Sequence, residues 1–455
     1  MAATALPGTD TQLARQLWSE DLGREHGFEP LHIEGRLPAG LRGTLYRAGP
    51  GQFGQFGRKY THPFEADGQT TAIRIADGQA FGASRIVQST GLLEERAAGK
   101  SLYGLSLPWP RRLANSLRGR NKNTANTSVL VWQDRVFALM EAGKPTELAP
   151  GDLSTLGETD LGVIVSFFSA HPHRVASRRA SYNFGLEYGR STRLHLYELP
   201  DQGPARHLGA VELSGPPMLH DFIATETHLI FFISPVRIDV PRMLLQVGSF
   251  EQLFRWRPEL GTEILAVPIE RPSEPVRFTV DAFYQWHFMN AFGRGGELVI
   301  DYVRYAGFES FHDIGAAGAG RPSGARDDGH YHRATIDLAA RTLRSERISE
   351  RRCEFPTVAP GSEGREHALG YAVFDELRSV GSIDARGAIA AHELPAEQRA
   401  SEPLYVDGHL LSLCHTAGAA FLAVYDAHRI PDGPVARIWL DHHVPITFHG
   451  AFVRG

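Results

Sequence analysis

Four of the chain's 21 histidines stand inside compact motifs at the edges of strand-like runs. They are Ala170-His171-Pro172-His173, Leu219-His220-Asp221-Phe222, Trp286-His287-Phe288-Met289-Asn290-Ala291 and Phe448-His449-Gly450-Ala451-Phe452. Imidazole is both a proton carrier near neutral pH and the commonest metal ligand. Separations of 49, 67 and 162 residues exclude a local site of the HExxH type. A metal held by all four therefore needs a fold that brings distant strand ends to one point. Most histidines in a sequence are simply exposed or hydrogen-bonded, so the motifs, not the residue type, single these out. Four neutral imidazoles suit iron(II) and leave positions free for dioxygen, whereas zinc in the same set would be closed, redox-silent and structural.

The elements that would position them look like strands. Short runs rich in β-branched and aromatic residues alternate with Gly, Pro, Asp and Asn clusters, and 47 glycines supply the turns. Residues 128–140 hold two such runs around Gln133 and Asp134, and further runs cover 193–199, 229–234, 297–305 and 410–425. Helical spacing is limited to 11–22, 111–118 and 250–256, and the Gly- and Ala-rich stretch 315–329 reads as an exposed loop. The class is all-β. No repeat of about 40 residues counts the blades of a propeller, so a barrel or a pair of sandwiches fits the pattern as well.

Composition narrows the partners. A net charge of -5 gives no basic excess for a phosphate backbone, so no nucleic-acid partner is expected. Two distant cysteines, Cys353 and Cys414, are too few for a disulfide framework and point to a reducing cytoplasm. The first 22 residues lack the pattern of a secretory signal, and the most apolar run, 229–236, is far too short to span a bilayer as a helix.

In this order the four motifs resemble those of the carotenoid cleavage oxygenases, and the likeness extends over nearly the whole chain. Gly43-Thr44-Leu45-Tyr46-Arg47-Ala48-Gly49-Pro50 is similar to the family's opening motif, and Phe64-Glu65-Ala66-Asp67-Gly68 follows where the family has an aromatic and an Asp-Gly pair. Arg85-Ile86-Val87 and Glu95-Arg96-Ala97-Ala98-Gly99-Lys100 also fit. The resemblance implies a seven-bladed β-propeller, capped by loops and short helices, as one domain over residues 1–455. It implies one iron(II) on the axis, held by His171, His220, His287 and His449, with dioxygen as co-substrate. It also implies that Glu141, Glu354 and Glu402 stand behind three of the histidines, and that Thr127 screens one coordination position. By residue type alone the glutamates would be surface residues and Thr127 an ordinary strand threonine. Two departures concern substrate contacts: no Glu follows Asn290-Ala291-Phe292-Gly293, and an acidic run is missing from a shortened 406–419.

The implied reaction splits a carbon-carbon double bond of a carotenoid or apocarotenoid into two carbonyl products. No flavin, nicotinamide or haem motif is present, so no external electron donor is expected. The alternative is a phenolic stilbene or phenylpropenoid. Enzymes of that kind resemble one another in a Lys just before the first of the three glutamates, paired with a Tyr; Met140 stands there and cannot take a phenolic proton, although Tyr103 matches the Tyr. Phe184, Phe222, Trp286 and Phe288 are expected to offer aromatic surface to the polyene, against a default of core packing for any single aromatic. Segments 102–117 and 240–256 combine Leu, Trp and Pro with Arg, as expected of a protein resting on the inner face of a membrane. A non-catalytic propeller with structural zinc and a propeller hydrolase with calcium or zinc are the competing classes. Neither accounts for four His motifs with three matching glutamates.

Overall fold

The computed structural model describes residues 8–104, 107–245, 247–319 and 328–455. Strands Ser128–Trp132 and Arg135–Leu139 meet across Gln133 and Asp134, whose φ of 51° and 61° is the left-handed pair that a two-residue hairpin demands. The other strand-like runs of the sequence form Thr192–Pro200, His228–Ile233, Glu297–Arg304 and the pair His409–His415 and Ala420–Asp426.

These hairpins build a seven-bladed propeller. Blade two spans residues 128–158, blade three 173–213 and blade four 223–280. The 17-residue strand Thr342–Val358 serves two blades: its first part pairs with His330–Asp337 as the outer strand of blade five, and from Cys353 it pairs with Leu369–Phe374 as the inner strand of blade six. Blade seven lies within 399–440 and takes His32–Gly35 as its outer strand. In blade one the C-terminal strand Gly450–Arg454 is innermost and pairs with Gly43–Gln52. Strands from both halves of the chain thus close the ring, and radial repetition leaves only the short outer edges of the blades.

The core lies between blades. Phe222 stacks on Phe231 at 5.1 Å and meets Phe184 edge-on at 5.4 Å, inside a cluster shared by blades three and four. Phe288 is likewise packed against Phe232 and Tyr302. These three were expected near substrate; Phe184 and Phe222 are packing residues turned into the space between sheets, whereas Phe288 also borders the cavity beside His287.

The cap departs from expectation in its helices. Gly8–Ser19 and Trp109–Leu117 take the places of the expected 11–22 and 111–118. Residues 250–256 form a single 3-10 turn, Glu251–Leu253, then a strand, Phe254–Trp256, that pairs with Val236–Ile238. Thr90–Ala98 is a helix the apolar spacing did not reveal; Ser89 Oγ caps it by accepting the Leu92 N–H at 3.4 Å, and Gly99 ends it at φ 61°. Glu309–Gly318 is also helical, so the expected loop 315–329 begins inside a helix, and residues 320–327 of it lie outside the described residues.

Candidate metal centre

Each of the four histidines lies at the start of an innermost strand. His171 precedes His173–Val175 of blade three, His220 precedes Ile223–Ala224 of blade four, His287 precedes Phe288–Arg294 of blade five and His449 precedes Gly450–Arg454 of blade one. The remaining three blades supply the glutamates. Glu141 follows Arg135–Leu139 of blade two, Glu354 lies in the inner strand of blade six, and Glu402 precedes Leu404–Val406 of blade seven. Radial symmetry therefore delivers seven side chains to one axis. Gly450 is needed beside His449 because a Cβ there would come within 2.0 Å of the Tyr46 carbonyl oxygen.

All four imidazoles are buried, and one nitrogen from each lies within 4.8 Å of those of the others. His287 Nε2 is 3.3 Å from His220 Nε2 and 3.1 Å from His449 Nε2. Behind them, His220 Nδ1 is 2.8 Å from Glu141 Oε1, His287 Nδ1 is 2.5 Å from Glu354 Oε2, and His449 Nδ1 is 2.8 Å from Glu402 Oε1. An ionised carboxylate can only accept, so these three Nδ1 atoms carry the protons and their Nε2 atoms face inward as bare lone pairs. His171 Nε2 is buried without a hydrogen-bond partner among the described residues. Converging lone pairs repel one another unless a cation lies between them. The donor set fits a divalent metal of the kind that takes imidazole, such as iron(II).

The charges agree. Burial alone would push Glu354 and Glu402 up, but His287 with the Phe355 N–H and Tyr305 hydroxyl, and His449 with Arg47, hold both below the usual carboxylate range. Glu141 is also held low, by His220 against burial. Burial and the neighbouring imidazoles keep His171 far below the ordinary value, so it stays neutral and available. His287 is the exception: burial lowers it, but the charge and hydrogen bond of Glu354 together with the charges of Asp221 and Glu402 raise it overall.

Thr127 begins this arrangement on the blade-two side. It is buried, its Oγ1 is 3.4 Å from Glu141 Oε2, and its carbonyl accepts the His449 N–H at 3.3 Å. Of the expected aromatics, Trp286 does reach the centre, with its ring 4.8 Å from that of His220. Phe355 packs 5.2 Å from both His287 and His449, while Phe64 meets Trp286 at 6.2 Å and Phe448 at 5.8 Å. Tyr103 is engaged elsewhere: its hydroxyl hydrogen-bonds Glu94 and accepts from Arg120 at 2.9 Å. Met140 Sδ receives the Thr124 N–H at 3.1 Å.

Several contributors went unassigned in the sequence. Arg47, inside the opening motif, is buried and donates to Glu402 at 2.8 Å; a lone Arg in the apolar run Leu45-Tyr46-Arg47-Ala48 was the available signal. Asp221, beside His220, accepts from the Phe288 N–H at 3.0 Å and pairs with His173 at 2.8 Å, tying blades three, four and five together. Tyr305 donates to Glu354 at 2.7 Å and had no local signal. A cavity of about 530 Å³ adjoins His171, His287 and His449 and continues along the inner strands toward Arg174 and Arg454.

The model of the retinal pigment epithelial membrane protein family matches residues 21–454. An apocarotenoid-15,15'-oxygenase of Synechocystis is 31% identical over 460 aligned residues, covering 93% of this chain and 92% of the relative. An isoeugenol monooxygenase of Pseudomonas nitroreducens is 30% identical over 279 residues, covering 60% of this chain and 57% of its own. Among solved structures, a cobalt-substituted Synechocystis apocarotenoid oxygenase superposes with a TM-score of 0.88 at 28% identity, covering 98% of this chain and 99% of that one.

Proposed function

The chain belongs to the carotenoid cleavage oxygenase family, and from that premise we propose how its residues carry out the oxidative cleavage of a carotenoid or apocarotenoid double bond. The enzyme is an oxidoreductase that uses dioxygen and a single non-haem iron. Iron(II), when bound, supplies the activation of dioxygen. His171, His220, His287 and His449 hold it, and Glu141, Glu354 and Glu402 fix three of those rings through Nδ1 so that each Nε2 lone pair points inward. Thr127, bonded to Glu141, narrows access on its side of the centre. Trp286, Phe64, Phe355 and Phe448 form an apolar wall that holds the polyene and excludes water. We read residues 1–455 as one domain, because strands from both ends of the chain complete blades one and seven.

The single observation that carries the reading is the convergence of four imidazole nitrogens beside these aromatic rings. A polyene is favoured over a phenol because Met140 offers no base to a phenolic hydroxyl and Tyr103 is tied to Glu94 and Arg120. Incubation of iron-loaded enzyme with carotenoids, apocarotenals and hydroxystilbenes, followed by identification of the aldehydes, tests it. Turnover of the hydroxystilbenes alone would reverse the preference.

No helix among the described residues is long and apolar enough to cross a membrane. The peripheral contact rests on helices Trp109–Leu117 and Val240–Leu245, which are joined by the Trp109 indole N–H donating to the Leu245 carbonyl at 2.7 Å. Trp109, Leu117 (80% exposed), Leu244 and Leu245 are open to solvent beside Arg111 and Arg118, the composition of a surface that enters anionic headgroups. Residues 105, 106 and 246 of the two expected segments lie outside the described residues. Sedimentation with anionic vesicles should fall sharply in a Trp109→Glu, Leu117→Glu variant. Unchanged binding would remove this face from the proposal.

A further inference from the structure

We propose that Arg47 is a positioning residue of the metal centre, clamping Glu402 and the Phe448 carbonyl so that the His449 ring is fixed from both ends. The inference rests on the reading of the four histidines as the metal site. Arg47 is 1% exposed and lies on the strand that pairs directly with the one following His449, in register with Gly450. Its Nη1 donates to Glu402 Oε2 at 2.8 Å and its Nη2 donates to the Phe448 carbonyl. The other oxygen of Glu402 accepts the His449 Nδ1–H at 2.8 Å, and the Gly450 N–H adds a contact to Oε2 at 3.1 Å. The ligand's backbone is held on the same strand: the Phe448 N–H donates to the Ala48 carbonyl at 2.8 Å and the Ala48 N–H to the His449 carbonyl at 3.0 Å. One guanidinium therefore touches the carboxylate behind the ring and the peptide that carries it.

The three glutamates differ in what stands behind them. Glu141 is met by the Thr127 hydroxyl and Glu354 by the Tyr305 hydroxyl and the Phe355 N–H, all neutral donors. Among the three, only Glu402 has a buried cation at hydrogen-bond distance. A divalent ion offsets two of the three carboxylate charges, and Arg47 is a buried cation that faces the third. Asp221, a further buried carboxylate nearby, is answered separately by His173 and by the Phe222 and Phe288 N–H groups. Leaving a charge unpaired in this interior is costly, so the arginine's charge and its fork geometry both matter.

Cobalt(II) titration of the metal-free full chain, followed by dissociation constant and by the visible spectrum of the bound ion, tests this. Arg47→Met should weaken binding on the order of 10-fold and alter the spectrum, since the His449 ring loses its orientation. Arg47→Lys, which keeps the charge, should restore most of the affinity. In a Glu402→Gln background Arg47→Met should weaken binding by less than it does in the wild type, because only the Phe448 contact is then left to lose. The proposal is overturned if a folded Arg47→Met chain binds with wild-type affinity and spectrum, if Arg47→Lys is as defective as Arg47→Met, or if Arg47→Met costs as much in the Gln background as in the wild type. Should Arg47→Met not fold, Arg47→Gln, which removes the charge but keeps a polar side chain, takes its place in each comparison. Wild-type chain that binds no cobalt, or binding untouched by His449→Ala, would instead sink the reading of the metal site itself.

Discussion

Glu354→Gln should be far more damaging than Glu141→Gln. Three donors converge on this carboxylate: His287 Nδ1, the Tyr305 hydroxyl at 2.7 Å and the Phe355 N–H at 2.6 Å. An amide has one acceptor oxygen and a donating NH2: with the oxygen toward His287 and Phe355 the NH2 displaces the Tyr305 hydroxyl from its donor role, and with the amide turned over two N–H donors face the NH2. If the NH2 turns toward His287, the ring is driven to the other tautomer and Nε2 carries a proton where the metal needs a lone pair. His287 is also the ring whose Nε2 lies against both His220 and His449, so its loss is felt by two other ligands. Losing a partner of this kind costs about 10–100-fold in metal affinity, or about 1.4–2.8 kcal/mol. Glu141 has fewer obligations, a contact to His220 at 2.8 Å and a long one to Thr127 at 3.4 Å, and its side chain is 32% exposed, so water can replace what glutamine loses. Titration of metal-free protein with iron(II) under anaerobic conditions, with metal content after gel filtration, gives the ranking. Full affinity in Glu354→Gln, or a larger loss in Glu141→Gln, would refute the reasoning.

Replacing any one of His171, His220, His287 or His449 by Ala should remove most bound iron and nearly all cleavage, and a variant that keeps both would take that residue out of the site. Labelled dioxygen should appear in both carbonyl fragments when exchange with water is kept short, because the cleaved bond supplies all the electrons; label in one fragment alone would indicate a monooxygenase. Metal uptake should weaken as pH falls through and below neutrality. Glu354, Asp221 and Glu402 together raise His287 in the metal-free protein, so as pH falls a proton competes with metal for its Nε2, whereas His171, held far below its usual value, adds no such competition. The same shift stabilises the metal-free fold below the ordinary imidazole value, and that contribution fades as pH rises through the raised one. Proton release on cobalt binding at several pH values measures it, and release that does not change with pH would contradict the assignment. Phe222→Ala should cost about 3–5 kcal/mol of stability, as expected for a ring lost from a packed core. An unchanged melting temperature with a raised KM would return Phe222 to the substrate pocket.

Local chemistry was legible in the sequence. The Gln133-Asp134 turn between two alternating runs gives a hairpin whatever surrounds it, because the turn's φ requirement and the period of two are properties of a few neighbouring residues. The four His motifs singled out the rings that meet, each at its own strand start, and the resemblance supplied their reading as metal ligands. Helix Thr90–Ala98 was not legible, since its moment is weak and its signals are the caps Ser89 and Gly99 rather than an apolar stripe. Only closure of the ring decided which long-range pairs meet. It set Glu354 behind His287 across 67 residues and Glu402 behind His449 across 47, in an arrangement where each blade delivers one residue to the axis. It also separated aromatics that look alike in the sequence. Trp286 faces the imidazoles while Phe184 and Phe222 pack between sheets, because which side of a twisted inner strand meets the axis is fixed by its neighbours and not by its own side chains. Arg47 and Tyr305 acquire their roles in the same way. Their partners lie 355 and 49 residues away, and nothing in the linear order marks a charge or hydroxyl as belonging to a carboxylate that only the folded ring brings within reach.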